Sequence, residues 1–204
     1  MGKINQQIIK HFQRHDKVLF SAIERVGVLK ELQPDGPENY FFRLCREIVG
    51  QQLADKASEA IFSRFEALFS SKKVTPRKVL KIPHKAIRNA GLSHAKARYI
   101  RNLAEKIVSK NLNFKNFQNL DDEQVIKELI GVKGIGPWTA EMFLMFTLAR
   151  ENVFSYGDLG LRKAITKLYG FKQEPTREQV EKISNKWAPY KTYACLVLWQ
   201  NLDA

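Results

Sequence analysis

The chain has 204 residues, 44% of them apolar, and a net charge of +13, a size and composition that allow one or two small cores within a single-domain range. Its longest strongly apolar run, residues 142–148 (MFLMFTL), is far short of the roughly 20 needed to span a bilayer, and the N-terminal MGKINQQIIKHF has no apolar core or small-residue cleavage site of an export signal, so a cytoplasmic chain with no membrane partner is expected. Cys45 and Cys195 lie 150 positions apart with no CxxC, and His11 and His15 have no carboxylate completing an HExxH, which argues against disulfide, zinc and iron–sulfur frameworks and leaves two buried thiols.

Apolar residues recur at spacings of three and four and no stretch keeps strand alternation, so the chain is expected to be all-α. A first helix is predicted over residues 6–26, ending near Gly27, with the turn-rich Gln33-Pro34-Asp35-Gly36-Pro37 as the best internal boundary. A second helix, from about residue 38, turns Tyr40, Phe41, Leu44, Ile48 and Val49 inward. The junction Gly50-Gln51-Gln52 then leads into a helix over 54–69. Short helices are predicted at 76–80 and 84–90, and a longer one at 95–109 after Gly91. Residues 72–110 carry twelve Lys and Arg against one carboxylate, Glu105, a balance of +11 in 39 residues. That stretch suits a polyanion or an ordinary solvated face. Pro76, Pro83 and Gly91 interrupt any long amphipathic helix of the membrane-surface kind.

Asp121 and Gln124 predict a capping box, opening a helix with Val125, Ile126, Leu129 and Ile130 inward. It stops at Gly131-Val132-Lys133-Gly134-Ile135-Gly136, and Pro137 occupies the favoured first position of a new helix running to about 148. A loop over 152–157, a helix over 159–169 closed by Gly170, and helices over 176–187 and 189–201 complete the chain.

Glycines 131, 134 and 136 permit positive φ and close approach of the backbone, next to the unsatisfied amides that open a helix. Lys133 adds charge and Thr139 a hydroxyl. By spacing alone this is equally a phosphate clamp or a plain corner between helices. Asp158, where a loop enters a helix, is by itself most simply an N-cap. Trp138, near the start of an apolar helix, is by itself most simply core.

The run LIGVKGIGPWTA over 129–140, followed by VFSYGD over 153–158, resembles the helix-hairpin-helix and Gly/Pro-rich-loop-then-Asp signature of the HhH-GPD DNA glycosylase superfamily, nearest its 3-methyladenine DNA glycosylase II branch. Residues 48–53 (IVGQQL) and 90–97 (AGLSHAKA) resemble segments at corresponding places, so the likeness spans about 38–169. Ser155-Tyr156-Gly157 departs from the pattern in lacking a proline.

The resemblance implies one two-lobed all-α unit over 1–204, with a lobe at 38–136, a second lobe from 1–37 plus 137–204, and the active site in the cleft between them. It implies a monomeric, monofunctional enzyme of base excision repair that flips an alkylated purine of the 3-methyladenine or 7-methylguanine type from double-stranded DNA and hydrolyses its N-glycosidic bond. Asp158 would be the catalytic carboxylate, stabilising an oxocarbenium-like sugar and helping the attacking water. Trp138 stands where bifunctional members carry lysine, so no Schiff-base nucleophile and no lyase activity are expected.

Trp138 would border the base pocket, with Tyr40, Phe41, Tyr156 and Trp187 as further aromatic candidates. Gly131, Lys133, Gly134, Gly136, Thr139 and Lys96 would meet DNA phosphates. Gln52 aligns best with the wedge that fills the emptied duplex position, while Leu53 is the more typical apolar plug. A helix cap and a core leucine are their equally weighted alternatives. No cofactor is expected for catalysis, and the carbonyls of Ile130, Val132 and Ile135 would hold a monovalent cation. Two rivals remain open: a non-enzymatic helix-hairpin-helix DNA-binding module, and a glycosylase for oxidised or deaminated bases.

Overall fold

A computed structural model describes residues 6–27, 30–70 and 73–203. Lys72 of the basic stretch and the first five residues of the N-terminal segment lie outside the described residues. The chain is all-α, as expected, with no β-sheet among the described residues. Its helices in order are α1 (Gln6–His15), α2 (Lys17–Val26), α3 (Tyr40–Gly50), α4 (Asp55–Glu66), α5 (Pro76–Lys81), α6 (His84–Asn89), α7 (His94–Val108), α8 (Asp122–Ile130), α9 (Pro137–Phe146), α10 (Leu159–Leu168), α11 (Arg177–Ser184) and α12 (Lys191–Asp203). Among the described residues no helix is long and apolar enough to cross a membrane, and no group of three His, Cys, Asp or Glu side chains could hold a metal ion.

The chain divides into two compact units, Met1–Gln33 with Ala149–Ala204, and Pro34–Leu148. The first boundary falls at the Pro-Gly-Pro turn. The second falls after Leu148, whereas a boundary at 136/137 was expected. Residues 142–145 of α9 are all buried, and a helix apolar on every side must be enclosed. It packs on α3 and α8 of its own unit, with Phe143 meeting Tyr40 edge-on at 5.3 Å and Phe117 at 6.1 Å.

In the unit holding both chain ends, α12 packs on α10 and α2. The single helix expected over 6–26 is broken at Asp16, which takes extended backbone angles and caps α2 by accepting the Leu19 amide at 3.1 Å. The cause is remote in sequence. Asp16 is buried, and its other oxygen accepts the Tyr169 hydroxyl at 2.6 Å and the Trp187 indole at 3.0 Å. Burial and this bond push the Tyr169 hydroxyl well above the ordinary tyrosine pKa. Trp187, a candidate for the base pocket, is thereby a fully buried core residue.

Cys45 and Cys195 are buried thiols not joined in a disulfide. The capping box at Asp121 and Gln124 forms in both directions. Val125 and Leu129 are buried as predicted, but Ile126 is only half-buried and Ile130 is exposed, because the helix ends there and the chain turns away.

Candidate active site

The loop before Asp158 is held by α12. Thr192, fully buried, donates its hydroxyl to the Arg150 carbonyl at 2.6 Å and accepts the Val153 amide at 3.1 Å, while its own amide reaches the Glu151 carbonyl at 2.9 Å. Arg162 of α10 completes the loop without a proline: its guanidinium donates to the Tyr156 carbonyl at 3.1 Å and the Gly157 carbonyl at 3.3 Å.

Asp158 is the N-cap that its place at the head of a helix predicts. It caps α10, its Oδ1 accepting the Leu161 amide at 2.8 Å, and it is half-buried rather than sealed in the core. The same oxygen accepts the Trp199 indole N–H at 3.1 Å. Two donors from different helices therefore fix the plane of the carboxylate. Trp199 escaped the sequence reading; its only signal is a tryptophan one turn beyond Cys195 in α12. Gly160 also escaped it. A Cβ there would stand 3.0 Å from Asp158 Oδ1 and 3.4 Å from the Trp199 ring.

Gly160→Ala is therefore expected to separate stability from activity. Alanine favours the helix by about 1 kcal/mol, so the melting temperature should hold or rise. The displaced carboxylate should slow single-turnover base release roughly three- to tenfold, since small misplacements of reacting groups are costly. Unchanged release would mean that the carboxylate is not positioned through this contact.

In the other unit, the hairpin between α8 and α9 uses its three glycines differently. Only Gly134 has positive φ, +97°, and a Cβ there would lie 2.1 Å from the Tyr99 ring of α7. Gly131 and Gly136 have φ of −64° and −97°. Among the described residues nothing lies within 4 Å of a Cβ at Gly136, which caps α9 without a side-chain bond. The positive end of α9 therefore lies beside the turn at Gly136. Lys133 is exposed at the tip. Trp138, in the first turn of α9, is half-exposed rather than core.

At the junction before α4, Gln52 and Leu53 are both exposed, Leu53 at 38%. The core-leucine alternative is thereby removed. Gln52 has a left-handed φ of +58°, a strained state for a residue other than glycine.

Several expected contacts are not made. Tyr40 and Phe41 are buried at 0% and 3% exposure; a side chain sealed inside the unit offers no face to a base. Tyr156 is half-buried, but its ring already meets the guanidiniums of Arg162 and Arg177 at 5.9 and 5.2 Å, so it ties the loop down. Thr139 is buried and accepts the Gln51 side-chain amide at 3.1 Å, which takes its hydroxyl out of reach of a phosphate.

Lys96 likewise points inward, donating to the Val49 carbonyl at 2.8 Å and the Gln51 carbonyl at 2.6 Å. Carbonyls at the end of α3 lack helical donors and carry its negative pole, so they draw an ammonium in; burial lowers its pKa. The basic stretch is divided in the same way. Arg88 and Arg101 donate to the carbonyls of Leu92 and Ile82, whereas Lys73, Arg77, Lys81, Lys85, Arg98 and Lys110 are exposed.

The family model described as HhH-GPD superfamily base excision DNA repair protein matches residues 45–190. The chain belongs to this superfamily. Among its HhH-GPD relatives, DNA-3-methyladenine glycosylase of Saccharomyces cerevisiae is 32% identical over 96% of this chain and 80% of that protein. A Bacillus halodurans DNA-3-methyladenine glycosidase is similar in structure, with a TM-score of 0.82, 36% identity, and coverage of 98% of this chain and 91% of the other. A Schizosaccharomyces pombe 3-methyladenine DNA glycosylase solved with abasic DNA gives a TM-score of 0.89 at 28% identity, covering 98% of both chains.

Proposed function

We propose that the chain is a monofunctional DNA glycosylase of base excision repair that flips an alkylated purine, of the 3-methyladenine or 7-methylguanine type, from duplex DNA and hydrolyses its N-glycosidic bond to leave an abasic site. The observation that carries this reading is Asp158, a half-buried carboxylate fixed by the Leu161 amide and the Trp199 indole. The relatives named for 3-methyladenine, and the S. pombe relative's complex with abasic DNA, support it.

An alkylated purine carries positive charge and leaves readily. The C1′–N bond breaks with its electron pair passing to the base, and the carboxylate stabilises the oxocarbenium-like sugar. Water then bonds to C1′, its proton passing to Asp158 and on to solvent. Half-exposed Trp138 offers an aromatic face for the flipped base. Gln52 and Leu53 supply the wedge, and Gly131, Lys133, Gly134 and Gly136 hold a phosphate at the positive end of α9.

The carbonyls of Ile130, Val132 and Ile135 would hold a monovalent cation at the hairpin. The carbonyls of Ile130 and Ile135 take no hydrogen bond among the described residues, and that of Val132 accepts only the Ile135 amide at 3.0 Å. When bound, such an ion would supply positive charge for a DNA phosphate.

The reading is tested by incubating the protein with duplexes carrying 3-methyladenine, 7-methylguanine, hypoxanthine or 8-oxoguanine. Release of the alkylated purines is expected, with strand breaks appearing only after alkali and no adduct trapped by borohydride. Binding without release of any base would point to a DNA-binding module. A trapped protein–DNA adduct, or release confined to the oxidised or deaminated base, would equally overturn it.

A further inference from the structure

Residues 50–53 form a type II β-turn. Gln51 has φ −48° and ψ 127°, Gln52 has φ +58°, and the Leu53 amide closes the turn on the Gly50 carbonyl at 3.1 Å. The third position of such a turn normally holds glycine, because φ must be positive there. A glutamine at that position needs external support to stay in place. Two side chains provide it.

Lys96, from the first turn of α7, donates to the Gln51 carbonyl at 2.6 Å. That carbonyl belongs to the peptide joining Gln51 to Gln52, whose orientation separates a type II turn from the alternative type I. The second bond of Lys96, to Val49 at 2.8 Å, fastens the turn to the end of α3. The Gln51 side chain points the other way. Its amide donates to the Gly134 carbonyl at 3.0 Å and to Thr139 Oγ1 at 3.1 Å, reaching the tip of the hairpin and the first turn of α9. All of these residues lie in the one unit Pro34–Leu148.

We infer that Gln51 and Lys96 are positioning residues that hold the exposed Gln52-Leu53 turn in its strained form and in fixed register with the phosphate-binding hairpin. The inference rests on the proposed glycosylase reading, in which the turn enters the duplex and the hairpin grips its backbone. A wedge that can shift relative to the clamp pushes at the wrong base step. Lysine and glutamine suit their places because an ammonium can serve two carbonyls, and a primary amide has two N–H groups for two acceptors.

The test compares single-turnover release from a duplex with release from the same lesion in single-stranded DNA, where no wedge is needed because the base is already unstacked. Lys96→Met and Gln51→Leu should lower the duplex rate roughly ten- to a hundredfold, with a several-fold smaller loss on the single strand. A 2-aminopurine beside the lesion should report a matching fall in flipped population. Lys96→Arg, which keeps donors at the carbonyls, should recover most of the duplex rate. Gln51→Glu, equal in size but unable to donate to Gly134, should behave as Gln51→Leu, and thermal melts should show each variant folded.

Equal losses on both substrates, or an unaltered duplex rate, would overturn the inference. If the wild-type protein released no base from either substrate, the glycosylase reading itself would fail, a result distinct from both.

Discussion

Gly134→Ala is expected to weaken binding to duplex DNA about ten- to a hundredfold and to lower base release from dilute protein in proportion. Two costs act together. The residue sits at φ +97°, and its new Cβ would fall 2.1 Å from Cγ of Tyr99. Left-handed backbone costs a residue with a side chain roughly 1–3 kcal/mol, and forcing a methyl into a packed contact costs about 1–3 kcal/mol more.

The conflict is with the inner atoms of the Tyr99 ring and its Cβ, so rotating a flexible side-chain end cannot relieve it. The hairpin must lift from α7, carrying with it the Gly134 carbonyl that Gln51 holds. Fluorescence anisotropy on an undamaged duplex, with a thermal melt alongside, measures the effect. Gly136→Ala is the contrast, because its Cβ meets nothing among the described residues; the free chain should melt as wild type, and any binding loss would come from the space a phosphate backbone must enter. A Gly134→Ala protein that binds as wild type would remove the hairpin from the DNA-contacting surface.

What could be read from the sequence divides by range. The Asp121–Gln124 capping box, Pro137 at the start of α9 and Gly170 after α10 are local devices, complete within a few residues, and they stand where the spacing put them. The break at Asp16 could not be read that way, because the groups that bury its carboxylate are 153 and 171 positions away.

The same holds for polar residues with two employments. Lys96 and Thr139 were expected at phosphates on charge and hydroxyl alone, but orphaned carbonyls and the Gln51 amide claim them inside the fold. Tyr40 and Phe41 follow the opposite rule. Their helical phase placed them inward, and it is that placement which excludes them from a base pocket. Asp158 was legible only through the pattern around it, whereas Trp199, 41 positions on, had no spacing to announce it.

Asp158→Asn is expected to have the largest effect on chemistry. Asparagine caps helices as well as aspartate does, and its side-chain oxygen can still accept the Leu161 amide and the Trp199 indole, so folding and DNA binding should remain within a few-fold of wild type. What disappears is the negative charge. A neutral amide neither stabilises the oxocarbenium-like sugar nor accepts a proton from water, and loss of such a group costs roughly 10²- to 10⁴-fold in rate.

The most direct measurement is the single-turnover rate of 7-methylguanine release from duplex DNA, for wild type and Asp158→Asn at saturating protein. The expected result is a rate reduced at least a hundredfold with binding retained; a variant that releases the base within tenfold of the wild-type rate would contradict the assignment of Asp158 as the catalytic carboxylate.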